Sequence, residues 1–336
     1  MSSFIRQLIS NIVAKRRGVS PFTYASERWG TIALHKAAVP AGDLIGNVQG
    51  GDPAAVEFFG SVAEASIVGR IRPRAVPANV KLLRPDSSAT GYWVAQNKPA
   101  PLSLYSVQGS ALERRKVAAI VAASMEAIEA RGERAERALE TDLRRALVAV
   151  LDDAFINPGN AGVADEVPAS VTYGTTALTS SGDAAADLKA LIAAFGGDLT
   201  TASFVTDPVT AAELALWRDA GGGVVFPDCG PAGGSLLGLP LVTSRASPRD
   251  TGGGSIALLD GAGIAVNLET FDIEMSRAAT LEMNTEPTGE GDGPTAQSVS
   301  QVNLFQIDAV ALLATMHGNW EVQRAGAVAV VEGCQY

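Results

Sequence analysis

The stretch RPDSSATGYW VAQNKPAPLS LYSVQGSALE RRKVAAIVAA SMEAIEARGE RAERALETDL RRALVAVLDD AFINPG, residues 84–159, joins two unlike halves. The first reads as extended chain, with Leu102, Leu104 and Ser106 on one face and Ser103, Tyr105 and Val107 on the other. Gly91, Pro99 and the Ser87-Ser88 pair punctuate it as turn and edge residues do. A two-stranded ribbon is marginal by itself in water. Tyr92, Trp93, Val94, Leu102, Leu104 and Tyr105 load this one with apolar surface that something must cover. A second copy of the same chain is the expected cover.

The other half is helical. Leu139, Leu143, Leu147, Val150 and Ala154 form one stripe at three- and four-residue steps, and Asn157-Pro158-Gly159 stops it. Roughly 23 residues at about 1.5 Å each give a rod of about 35 Å, long enough to serve as a spine. Before it, Lys116–Ala123 reads as a buried strand or helix start, and Ser124 as the cap of a short helix through Ile128.

Toward the N-terminus, Phe4, Ile5, Leu8, Ile9, Ile12 and Val13 follow helical spacing, and residues 19–50 keep no period. Asp52-Pro53 opens a helix with Phe58, Phe59 and Val62 as its buried stripe; Ile67–Ile71 reads as a strand. Beyond Gly159, helices are expected over 183–194 and 208–220 and strands at 203–206, 236–243, 256–259, 263–266, 302–314 and 327–331. Gly221–Gly223 reads as a flexible loop and 286–295 as a polar surface loop. With no regular βαβ alternation, the class is α+β.

At 336 residues and 47% hydrophobic, the chain can bury one large core or two smaller ones. It has no apolar run of membrane-spanning length and no secretory signal pattern, so no membrane role and assembly in the cytosol are expected. A net charge of -10 argues against a general nucleic-acid binder. The first eighteen residues break that balance: Arg6, Lys15, Arg16 and Arg17 stand there without an acid. Two readings stay open, a solvated basic helix and an arm lying against a polyanion or an acidic partner.

Catalytic equipment is sparse. There are two histidines, His35 and His317, the latter read as a loop or strand-end residue. Cys229 and Cys334 lie far apart and read as inert thiols. No nucleophile elbow, zinc-binding helix motif or phosphate-loop lysine occurs, and Gly261-Ala262-Gly263 lacks the third glycine of a dinucleotide loop. Asp152-Asp153 point about 100° apart on a helix and read as a solvated end. No catalytic residue, cofactor or metal site is expected.

In order, these pieces resemble the major capsid protein of tailed bacteriophages with the Hong Kong 97-type fold. The resemblance rests on Gly91–Pro99, on Lys116–Ala123 followed by Ser124-Met125-Glu126, and on the helix ending Asp152–Gly159. Leu236–Val242, Phe271–Ser276 and Val299–Ile307 continue it. It implies an N-terminal arm (1–50), the start of a peripheral domain (51–77) and an extended loop (78–115). The peripheral domain with its spine helix (116–180), an axial domain (181–263), a peripheral sheet (264–312) and a last axial strand (313–336) follow. The function implied is that of a head protein assembling into pentamers and hexamers of an icosahedral shell around double-stranded DNA held without sequence specificity. The alternative is an encapsulin-like shell around enzyme cargo. Tyr92, Trp93, Lys98, Pro99 and Leu104 would form the intersubunit loop, and Arg6, Lys15, Arg16 and Arg17 would face the interior.

A scaffolding protein and a portal are implied partners besides the chain itself, with a decoration protein as an option. The implied location is the virion, assembled in the host cytoplasm. The extended loop begins only about 80 residues in, and with the initial Met this favours scaffolding as a separate protein. Some relatives join subunits covalently through a loop lysine and an asparagine beside a catalytic glutamate. Lys98 and Asn303 stand near the first two places, but Asp308 and Val310 stand where the glutamate would be, so cross-linking is not expected.

Overall fold

The computed structural model describes residues 14, 19–20, 23–24, 53–85, 92–96, 98–99, 101–102, 107–126, 133–219, 221–276, 279–282 and 301–336. The chain divides into two compact units. One comprises Met1–Ser61, Ala118–Leu147 and Thr270–Met316, the other Val62–Val117, Val148–Glu269 and His317–Tyr336.

Helix α1 (Pro53–Ala65) buries Phe58 and Phe59, whose rings meet edge-on at 5.3 Å. Ile67–Ile71 is not the expected strand. It forms the short helix α2 (Ile67–Arg70), capped by Ser66, whose hydroxyl accepts from the Gly69 amide. Its β-branched residues suggested a strand, but Ile67, Val68 and Ile71 equally fill one buried helical face. Gly69 permits the close packing, because a Cβ there would sit 2.0 Å from the Ala63 carbonyl oxygen.

Strand β1 (Arg74–Ala75) precedes the hairpin of β2 (Lys81–Pro85) and β3 (Val107–Ala111). The segment 116–124 resolves as strand β4 (Lys116–Ser124). Helix α3 (Glu133–Ile156) runs 24 residues, or about 36 Å. Its buried row is Leu143, Leu147, Leu151 and Phe155, in steps of four, whereas Val150 is exposed. The Asn157 side chain accepts from the Gly159 amide and Pro158 has no amide to continue the ladder, which ends the helix as expected.

The rest of the second unit is built on a mixed sheet. Its strands are β5 (Leu178–Thr179), β6 (Ala202–Thr206), β7 (Gly234–Leu236), β8 (Leu239–Thr243), β9 (Arg249–Asp250), β10 (Gly253–Asp260) and β15 (Val328–Cys334). The order is β5-β15-β10-β6-β8-β7, with β9 paired to β10. β6 and β10 are buried along their whole length, as apolar central strands are. Helices α4 (Ala184–Ala194) and α5 (Pro208–Leu216) pack Leu188, Leu191, Ala211 and Leu214 into a core with Phe204, Leu258 and Val331. Asp183 and Asp207 cap the two helices, each side chain accepting from two amides of its first turn.

Residues 236–243, expected as one strand, form a hairpin instead. Leu236 pairs with Leu239 across a two-residue turn in which Leu237 (φ 53°) and Gly238 (φ 78°) are both left-handed. That is the type I′ turn whose twist suits a tight hairpin. The glycine triplet at 221–223 closes on Asp219, whose carboxylate accepts from the amides of Gly221 and Gly223 at 2.9 and 2.7 Å.

The remaining strands are β11 (Ile264–Ser276), β12 (Thr280–Glu282), β13 (Gln301–Asn303) and β14 (Ala309–Val322). β1, β11, β14 and β4 form a four-stranded sheet in that order, and β12 pairs with β13. The expected strand 302–314 is thus interrupted between Asn303 and Ala309. His317 lies within β14 rather than in a loop, its Nδ1 3.3 Å from the Arg115 carbonyl oxygen.

Candidate functional site

The root of the ribbon is firmly held within its unit. β2 and β3 pair from Lys81–Ala111 to Pro85–Val107. Leu82 and Leu112 are buried with Val76 and Ala265. Glu269 accepts from the Ala78 amide at 3.3 Å and pairs with the Arg114 guanidinium at 2.9 Å. Burial works to raise the pKa of Glu269, but Asn267, the Ala78 amide and Arg114 outweigh it and hold the carboxyl below its usual range. The Ser110 hydroxyl donates to Glu321 at 2.6 Å, and the Asn319 amide group donates to the Glu113 carbonyl at 2.7 Å.

Between β2 and β3 the described residues, 92–96, 98–99 and 101–102, are not in a strand, and they carry large apolar groups in solvent. Trp93 is 106% exposed, Leu102 96% and Tyr92 53%. Lys98 and Pro99 are exposed as well, and the Lys98 amide donates to the Ala95 carbonyl to close a turn. Leu104, Arg6, Lys15, Arg16 and Arg17 lie outside the described residues. So do 283–300 and all but the first two residues of the helix expected after Ser124.

A second uncovered surface lies on β4. Its nine residues alternate between exposed and half-buried with none fully buried, although the sequence KVAAIVAAS is almost wholly apolar. Ile120 is 56% exposed. Phe305 and Ile307, 78% and 56% exposed, form a third. Sequence reasoning missed them because the stretch looked like continuous strand. Asn303 and Asp308, both turn formers, were the available signal. The Asn303 carboxamide oxygen caps that turn by accepting from the Phe305 amide at 2.9 Å.

Asp152 corrects a sequence expectation. It is no solvated helix end: its side chain is buried and accepts from the Ile67 amide at 2.8 Å and the Ser244 hydroxyl at 2.7 Å. Burial pushes its pKa up to about 6 against the opposing pull of Ser244, the Ile67 amide and Arg70. Asp153 is exposed, so the two do not form a carboxylate pair. Both cysteines are buried, and burial raises the pKa of each thiol, that of Cys334 to about 11. Among the described residues no group of three or more His, Cys, Asp or Glu could hold a metal ion. No helix among them is long and apolar enough to cross a membrane.

The candidate functional surfaces are therefore apolar patches exposed on well-anchored elements. The profile of the phage capsid family matches residues 60–333. The chain is 32% identical, over 93% of its length, to the capsid polyprotein of Pseudomonas phage PAJU2, and spans about half (49%) of that longer protein. Solved structures from Mycobacterium phage Ogopogo (TM-score 0.56, 18% identity, 80% of this chain and 91% of that one) and Mycobacterium phage Bobi (0.54, 16%, 90% and 96%) share the fold. So does the capsid of the native GTA particle, with a TM-score of 0.54 and 14% identity over 91% of this chain and 98% of that one. The α+β architecture is the Hong Kong 97-type capsid fold that the sequence led us to expect, and the chain belongs to the phage capsid family.

Proposed function

We propose that this chain is the major head protein of a tailed bacteriophage and assembles with copies of itself, as pentamers and hexamers, into an icosahedral shell around double-stranded DNA. The observation that carries this reading is the segment between β2 and β3, on which Trp93 and Leu102 are almost fully exposed. A single aromatic side chain of this kind buries on the order of 200 Å² when covered. A closed ring covers many such groups at once, so individually modest contacts add through simultaneity. Five-fold assembly finds support in the GTA capsid, which was computed with C5 symmetry. The family match favours a virion over a cargo compartment.

On this reading the ribbon lies over the peripheral domain of a neighbour, where the open face of β4 offers an apolar bed. The intersubunit set is Tyr92, Trp93, Lys98, Pro99 and Leu104. The arm bearing Arg6, Lys15, Arg16 and Arg17 faces the interior. A scaffolding protein and a portal act with the chain, which is assembled in the host cytoplasm and remains in the virion. Its role is structural, without bond chemistry. The test is Trp93→Ala: the subunit keeps its fold by circular dichroism, while shell yield in negative-stain images falls. Particles at the wild-type yield would count decisively against the ribbon as an assembly contact.

A further inference from the structure

We propose that the cavity between α4 and the turn of the β7–β8 hairpin binds a single-chain aliphatic carboxylate, with the tail in the cavity and the head on Lys189. All of its lining residues belong to one compact unit, and the site does not depend on the shell reading.

The cavity holds about 360 Å³, at the small end of the range for small-molecule sites. Helix α4 supplies one wall, because Ala185, Leu188, Lys189 and Ile192 recur at three- and four-residue steps and share a face. Leu188 and Phe226 belong to the buried core of the unit, and Ile192 packs against it. Val225 and Leu237, 39% and 57% exposed, complete the lining on the solvent side.

Leu237 is an independent sign of a contact made here. It occupies a left-handed position, φ 53°, ahead of Gly238 in a turn that prefers asparagine at that place. Such backbone is unfavourable for leucine, and the side chain recovers little by burial. Strain kept at an exposed side chain that lines a cavity points from structure to function.

The lining selects the ligand. Among the described residues that line the cavity, Lys189 alone is charged, and it pairs with no described acid. The acids beside it are committed elsewhere: Asp183 caps α4, and Asp187 accepts from Ser180, Ser181 and Tyr336. Apolar walls would leave the polar groups of a sugar or nucleotide unpaired. A cationic amphiphile would meet Lys189 as a like charge, and a plain hydrocarbon would make no use of it. An unbranched carboxylate of about eight carbons suits both parts, its chain filling the space at the packing density of a protein interior.

Ligand-observed NMR titrations of the unassembled full chain, with each probe below its micelle concentration, test the site. Octanoate should bind more tightly than hexanoate by about fourfold per added methylene. Leu237→Asn removes an apolar wall while suiting the turn, so the subunit keeps its melting temperature and octanoate affinity falls about fivefold or more. Lys189→Gln should weaken octanoate about two- to fivefold and leave 1-octanol unchanged. No saturable octanoate binding, equal affinity for hexanoate, or undiminished binding by Leu237→Asn would each overturn the site. A Lys189→Gln effect that is absent, or shared equally by the alcohol, would overturn the carboxylate assignment. A chain that forms shells yet binds no octanoate keeps the shell reading and loses this site alone.

Discussion

Asp152 carries the most consequence of any single residue in the described structure. One carboxylate on the long helix α3 satisfies the leading amide of α2 and the Ser244 hydroxyl just past β8, and so ties three elements of its unit together. Its folded-state pKa of about 6 stands above the ordinary 3.8, so its ionisation opposes folding. The full penalty, about 3 kcal/mol for a shift of this size, applies above pH 6 and is relieved as pH falls toward 4. Asp152→Asn keeps an acceptor for the Ile67 amide and sheds the charge. It should raise the urea midpoint at pH 7 to 8, by about 1–2 kcal/mol in stability, with the gain vanishing near pH 4. A variant less stable than wild type by the same margin at both ends of that range would show that the charge is not the burden. Asp152→Ala leaves the buried Ile67 amide unpaired, at about 1–3 kcal/mol, along with the half-buried Ser244 hydroxyl, and should cost more at pH 5 than at pH 7, where the lost penalty offsets it. The sequence placed Asp152 on the helix but not its burial. The residues that cover it, Ile67 and Ser244, lie 85 and 92 positions away.

Among the elements, the hairpin of β7 and β8 departs most from expectation and offers a clean test. Leu237 occupies a left-handed position that costs a non-glycine residue about 1 kcal/mol. Leu237→Asn supplies the residue a type I′ turn prefers before glycine and should stabilise the subunit by about 0.5–1 kcal/mol in urea unfolding. A loss of stability would mean that the half-exposed leucine contributes more by contact than its backbone costs. Helix α3 shows the complementary case, in which the element was legible and the stripe slightly misplaced. Its end at Asn157-Pro158-Gly159 follows from local chemistry, while the choice between Val150 and Leu151 as the buried position depends on what packs against it. Trp320 does so at the far end, edge-on to Phe155 at 5.2 Å. The helix at Ile67 was misread for a similar reason: its apolar pattern fits either period, and Ser66 together with the distant carboxylate decides.

At the scale of the whole molecule, the net charge of -10 is consistent with the proposed role of enclosing DNA without gripping it, and the proposal assigns the basic residues Arg6, Lys15, Arg16 and Arg17 to the interior. Deleting residues 1–18 should therefore lower assembly yield or the nucleic acid content of particles, read by negative stain and by absorbance ratio. Particles unchanged in number and content would refute an interior role for the arm. What the sequence determined by itself was the α+β class, the long helix with its stop and the family, because periodicity, turn residues and short ordered motifs are local properties of the chain. Only the tertiary structure decided that Asp152 is buried, that 236–243 turns back on itself and that Phe305 and Ile307 face water. Each of these depends on which distant segment covers a residue or leaves it bare, and neighbouring letters carry no information about that.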